Sequence, residues 1–212
     1  MLRKGILLSV EGIDGSGKST LAKNLAALLQ AQGFSVLLTK EPGGTHLGLK
    51  MRNLLQEKSV AISPIAEFLL FAADRAQHFD ELVLPALAQN MIVISDRMAD
   101  SSLAYQGHGR GLDTKAIAYI NNWAMQQRVP DITIWCDISM AQAAERIAQR
   151  NETLTSFEKE EKAFMERVLY GFNELFKHRD NVLKLNGNNE IKTLAQEAHN
   201  KVVAWIQSQN LL

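Results

Sequence analysis

Short apolar runs alternate with longer stretches of helical spacing along the chain. GILLSV at 5–10, FSVLLTK at 34–40, MIVIS at 91–95, ITIWCDI at 132–138 and VLKLN at 182–186 show no sustained apolar/polar alternation, which predicts parallel strands covered on both faces. Between the first two, Leu21, Leu25, Leu28 and Leu29 repeat at helical spacing and Gly33 follows them, so a helix should end at that glycine. The β-α-β-α order implies an α/β fold: a parallel sheet of about five strands flanked by helices in three α/β/α layers.

Residues 149–167, QRNETLTSFEKEEKAFMER, break this rhythm with a polar, charged stretch. Composition alone predicts an exposed loop feeding a solvated helix; its place after a strand also suits a mobile lid, at approximately 146–160. No repeat, low-complexity tract or proline-rich linker divides the chain, and 212 residues with 46% hydrophobic content can bury one ordinary core, so residues 1–212 are read as one domain.

Charge narrows the class of partner. Lys plus Arg and Asp plus Glu number 23 each, which leaves no global positive field to draw the protein onto nucleic acid. No segment approaches the roughly 20 apolar residues that span a bilayer, and the apolar part of the N-terminus is too short for a secretory signal. The expectation is a cytoplasmic protein with neither nucleic-acid nor membrane partner. The single cysteine, Cys136, excludes an intrachain disulfide and lies in an apolar run, where a core thiol is expected.

The clearest chemistry lies at residues 12–19, GIDGSGKS, a complete G-x-x-x-x-G-K-[ST] loop between a predicted strand and a predicted helix. Such a loop cradles phosphates with backbone N–H groups at a positive helix end, which points to ATP and to the P-loop NTPase fold. Residues Gly12, Ile13, Asp14, Gly15, Ser16, Gly17, Lys18, Ser19 and Thr20 form the expected ATP site. Lys18 would reach the β- and γ-phosphates and Ser19 would offer its hydroxyl to Mg²⁺. Asp96, at the end of MIVISD, is a natural second Mg²⁺ partner. Arg97 beside it, at the carboxyl end of a parallel strand, points to a phosphate in the ligand crevice. Asp14 is an oddity, a carboxylate inside a loop that surrounds polyphosphate.

Asn200-Lys201-Val202-Val203 lacks the aspartate of a guanine-reading N-K-x-D, and no H-R-D-x-x-x-x-N segment is present, which disfavours GTPases and excludes protein kinases. EGIDGSGKST at 11–20, EPGGT at 41–45, FAADRAQH at 71–78 and DRMADSSLAYQGHGRGL at 96–112 together resemble the thymidylate kinases, in order and spacing, across essentially the whole chain. The resemblance implies transfer of the ATP γ-phosphoryl group to dTMP, a Mg²⁺ requirement and a homodimer, whose interface the apolar helices around 65–87 could host. A kinase of another nucleoside or nucleoside monophosphate, and a non-catalytic ATP-dependent switch, are the alternatives.

On this resemblance Phe71 stacks on the pyrimidine and Arg75, one helical turn on, donates to the carbonyl at C4. Arg52 and Arg97 clamp the acceptor phosphate. Ser102, Tyr105 and Gln106 line base and sugar, with Tyr105 filling the space of a ribose 2′-OH. Glu41 and Pro42 stand beside the acceptor, and Asp14 accepts from its 3′-hydroxyl. Catalysis is implied to rest on Asp14, Lys18, Arg97 and a lid arginine, Arg150, with Arg146 at the ATP side. RNETLTSFE departs from the lid pattern of related bacterial enzymes, since Thr155-Ser156 stand where Asp-Arg is expected. Either Arg150 acts alone, or Arg146 stacks on adenine and another residue compensates. His108 replaces a common glycine and is read as a surface change; Met98 replaces an aromatic or histidine.

Overall fold

The computed structural model describes residues 2–57, 61–149, 157 and 160–212. Five parallel strands form one sheet in the order β2-β3-β1-β4-β5. They are β1 (Ile6–Glu11), β2 (Val36–Lys40), β3 (Ile92–Asp96), β4 (Ile132–Asp137) and β5 (Val182–Asn186). All of β1 is buried, whereas the edge strands β2 and β5 are partly open, as burial on two faces requires at the centre of a doubly covered sheet.

Strand periodicity sorts the core into layers. Ile6, Leu8 and Val10 face one side with Leu21, Leu25 and Leu29 of α1 (Lys18–Ala31) and Ala198 and Val202 of α9 (Ile191–Ser208). Leu7 faces the other side with Val93, Phe79 and Met98. Further along that side, Trp135 of β4 meets Tyr105, Phe172 and Phe176. Cys136 is buried, and burial pushes its thiol up to about 12. That fits an inert core thiol.

Local sequence signals place most helix starts. Thr45 caps α2 (His46–Gln56) by accepting from Gly48 N, and Ser63 with Pro64 opens α3 (Pro64–His78); both are favoured N-terminal chemistries. Helix α3 runs through a π-helical turn at Phe79–Val83 into α4 (Leu84–Ala88). A second π-helical turn, Leu103–Gly109, extends α5 (Ala99–Ser102) and precedes α6 (Thr114–Ala124). Helix α7 (Met140–Gln149) follows β4 and α8 (Lys162–Phe176) precedes β5.

Two segments differ from expectation. Helix α8 is not simply solvated: Phe164, Val168 and Phe172 are buried under the second π-helical turn. Nor is His108 a surface change. Its ring stands against Gly171 of α8, where a Cβ would approach it within 2.8 Å, and meets Tyr170 edge-on at 5.9 Å. The residue is half-buried packing between two helical segments. Of residues 65–87, the second part turns inward, with Phe79, Val83 and Ala86 in the core; exposed apolar side chains remain on α3, at Ile65 and Leu69.

Phe172 is fully buried against Tyr105, so Phe172→Ala should lower unfolding free energy by about 3–5 kcal/mol through lost transfer and a residual cavity. Urea unfolding of the two proteins measures this directly.

Candidate active site

Parallel register makes the site. Val10 pairs with Asp96 and Lys40 pairs with Asp96, so the carboxyl ends of β1, β2 and β3 lie level. The phosphate loop, Glu41-Pro42 and Asp96-Arg97 therefore leave one edge of the sheet together, where open α/β sheets bind ligands.

Within the loop, Gly15 (φ 79°) and Gly17 (φ 85°) take left-handed backbone. A Cβ at Gly15 would also sit 2.4 Å from the Ala143 carbonyl oxygen, so glycine is needed there for conformation and space alike. Lys18 Nζ donates to the Ile13 carbonyl and to Asp14 Oδ1, each at 3.3 Å. Ser19 Oγ donates to Asp96 Oδ2. Among the described residues only Ser16 Oγ, Asp74 Oδ2 and Asp96 Oδ1 are buried side-chain polar atoms without a partner. Buried polar atoms ordinarily have one. Two of the three belong to this corner, where phosphates and a hard cation would supply it.

Asp14 is shared between Lys18 of the loop and the residues after β3. Its Oδ1 accepts from Arg97 Nη2 at 2.5 Å, and Oδ2 accepts from the Tyr105 hydroxyl at 3.3 Å. Burial by itself would raise the carboxyl, but the charges of Arg97 and Lys18 outweigh it and hold Asp14 well below the usual carboxylate range. Burial likewise raises the Tyr105 phenol, which stays a neutral donor.

Two clefts meet at this pair. One is lined by every residue assigned above to the acceptor: Asp14, Glu41, Pro42, Arg52, Phe71, Arg75, Arg97, Ser102, Tyr105 and Gln106. The other runs over Gly15, Gly17, Lys18, Ser19 and Thr20 to Asp96 and Arg146. Asp14, Glu41, Arg52 and Arg97 border both. Gly12, Ile13 and Ser16 lie behind the second cleft rather than on its wall. Arg146 Nη2 donates to the Gly187 carbonyl at 2.7 Å and comes near Gly17. Arg150, Thr155 and Ser156 lie outside the described residues.

Arg75 is 1% exposed and locked from behind. Nε donates to Glu41 Oε2 at 2.8 Å, and Nη1 donates to Ser102 Oγ at 3.2 Å and Asn121 Oδ1 at 2.6 Å. Glu41 Oε1 pairs with His78 Nδ1 at 2.8 Å, and His78 Nε2 with Thr39 Oγ1 at 2.7 Å. Burial raises Glu41, but Arg75 and His78 hold its carboxyl below the ordinary value. Glu41 thus orients Arg75 as well as bordering the cleft. Gln106 is held by Glu67 at 2.9 Å, and Arg52 Nη1 donates to the Pro42 carbonyl at 3.0 Å.

Reading the sequence missed His78, Asn121 and Phe157. Phe157 lines the first cleft, 6.0 Å from Phe71 and 5.5 Å from Tyr105 between ring centroids; its one signal was an aromatic in a polar stretch. His78 ends the quoted FAADRAQH, while nothing local marked Asn121.

The profile of the thymidylate kinase family matches residues 10–198. The chain belongs to the thymidylate kinase family. It is 38% identical over 201 residues to a thymidylate kinase of Halothermothrix orenii, covering 94% of this chain and 97% of that one. Identity to a Synechococcus thymidylate kinase is 43% over 183 residues, covering 83% and 85%. The crystal structure of thymidylate kinase from Ehrlichia chaffeensis superposes with a TM-score of 0.76 at 32% identity, covering 94% of this chain and 99% of that one. The solved relative therefore agrees with the α/β fold described above.

Asp74 Oδ1 accepts at 3.0 Å from the backbone N of Gly43, which lines the second cleft. Burial, then the Glu41 charge, pushes its carboxyl up to about 6 from 3.8. A raised carboxyl means the native state favours the protonated form, so its contribution is full below the unfolded value and is lost as pH rises through about 6. The melting temperature of Asp74→Asn relative to wild type should rise progressively between pH 4 and pH 7, with the gain largest at pH 7, measured by calorimetry.

Proposed function

We propose that this chain transfers the γ-phosphoryl group of ATP directly to dTMP, giving dTDP for dTTP synthesis. The meeting of a phosphate-loop cleft with an aromatic, arginine-floored cleft at Asp14 and Arg97 carries this reading. ATP phosphates lie on the loop at Lys18, and Arg146 serves the adenine side. In the other cleft the pyrimidine stacks on Phe71 and its C4 carbonyl meets Arg75. Glu41, Ser102 and Asn121 fix that guanidinium, which has donors only. The amino group of cytosine would leave a buried donor unpaired, a source of strong discrimination.

Arg52 and Arg97 neutralise the acceptor phosphate, which needs no strong base because its oxygen is already anionic at neutral pH. Positioning and charge neutralisation then carry the transfer. Tyr105 fills the space of a ribose 2′-hydroxyl. Asp14 accepts from the sugar 3′-hydroxyl while restraining Arg97, so it joins the donor and acceptor sites. Arg150 supplies the lid cation. Ser19 and Asp96 offer hard oxygen ligands of the kind Mg²⁺ takes beside substrate phosphates, and Asp96 Oδ1 is buried and unpartnered; the metal, when bound, neutralises phosphate charge.

The protein acts as a cytoplasmic homodimer. No helix among the described residues is long and apolar enough to cross a membrane. Helices α3 and α6, which pack together, leave Ile65, Leu69, Tyr119 and Trp123 exposed, the last two at 77% each. Exposed apolar groups of this size mark an association surface.

A coupled ADP-release assay with dTMP, dUMP, dCMP, UMP and no acceptor tests the function; dTMP should be turned over fastest and dCMP barely. Turnover confined to water would overturn it. Arg97→Ala should cost roughly 10²-fold or more in kcat with little change in ATP affinity by calorimetry. Trp123→Glu with Tyr119→Glu should sediment as a monomer where the wild type sediments as a dimer.

A further inference from the structure

Arg97 has φ 71°, a left-handed backbone that non-glycine residues rarely take. Such conformations persist where the surroundings over-determine them, often at functional sites. Three hydrogen bonds do so here. Arg97 N donates to the Val10 carbonyl at 2.9 Å, the Arg97 carbonyl accepts from Ser95 Oγ at 2.7 Å, and the next amide, Met98 N, donates to Glu11 Oε1 at 2.8 Å.

Glu11 also reaches the other end of the same residue. Its Oε2 accepts from Ser101 Oγ at 2.6 Å, and that hydroxyl accepts from Arg97 Nη1 at 3.0 Å. Glu11 is fully buried and lines neither cleft, so nothing in the transfer reaction uses it directly. Burying a carboxylate is costly unless it is hydrogen-bonded, and both oxygens of this one are committed, Oε1 to Met98 N and Oε2 to Ser101 Oγ. Burial and the nearby Asp100 charge push the Glu11 carboxyl up to about 7, while Ser101, Arg97 and Met98 N favour the ionised form; in that form it only accepts, which fixes the direction of the chain: guanidinium to Ser101, Ser101 to Glu11. An amide in its place would present N–H to Ser101 and remove a negative charge behind the guanidinium.

We propose that Glu11 is the positioning residue for Arg97, clamping the left-handed backbone on one side and, through Ser101, the guanidinium on the other. Its effect reaches the reaction only through Arg97. The inference rests on the reading of Arg97 as the ligand of the acceptor phosphate.

Steady-state kinetics of the full chain test it in Glu11→Gln, Ser101→Ala, Arg97→Ala and the two double variants containing Arg97→Ala. Glu11→Gln should lower kcat/KM for dTMP at least tenfold and leave the KM for ATP within twofold. Ser101→Ala should lose activity in the same direction by a smaller factor. On the Arg97→Ala background each should cost less than twofold, the non-additivity expected of groups acting through one another. Wild-type kinetics for Glu11→Gln, or a full additional loss on the Arg97→Ala background, would overturn the positioning role. Should Glu11→Gln not fold, Ser101→Ala decides alone: a loss absent from the Arg97→Ala background supports the proposal, and an additive loss overturns it. Wild-type turnover by Arg97→Ala would instead overturn the reading of Arg97 itself.

Discussion

The parallel pairing of β1 with β3 and of β3 with β2 governs the rest of the molecule. It sets Val10, Asp96 and Lys40 level, and each strand then delivers chemistry in the next residues: the phosphate loop after β1, Arg97 after β3, Glu41 and Pro42 after β2. A register shift of one residue in β3 would turn Asp96 and Arg97 away from Ser19 and Asp14. The buried apolar runs on both faces hold that register, so the core and the site are one construction.

Charge is managed within this frame by pairing rather than by exposure. Asp14 lies between Arg97 and Lys18, Glu41 between Arg75 and His78, and Glu67 faces Arg110. Each carboxylate would be costly alone in so enclosed a place, and each is held by donors that also restrict its cationic partner. The arginines facing the acceptor cleft are therefore oriented before any ligand arrives, which reduces the ordering required on binding. The apparent misfit of an acidic residue in a phosphate loop is resolved in the same way. Asp14 is held by Lys18 within the loop and by Arg97 and Tyr105 from the chain that follows β3.

Much of the fold was legible because its signals are local. All five strands fall within two residues of the apolar runs, Gly33 follows α1, and the glycine spacing of 12–19 places the phosphate loop at the end of β1. The residues assigned to the acceptor stood, Arg52 apart, in four family motifs, and the fold brings all of them to one cleft. His108 went wrong because its environment is Gly171 and Tyr170 of α8, a contact that no neighbouring residue announces. The inward turn of residues 79–87 was equally hidden, since apolar content does not say which side of a helix meets the sheet.

By itself the sequence determined the order of elements, the phosphate loop and the family, because spacing of 2 and 3.6 residues and glycine-dependent turns are properties of short stretches. Only tertiary structure decided which groups hold the arginines in place. Asn121 meets Arg75 across 46 residues, Glu41 meets His78 across 37, and Glu11 meets Met98 across 87. Those partnerships arise from a crossover of strands and from burial that leaves each polar atom one place to satisfy its hydrogen bond, and neither is written in any local pattern.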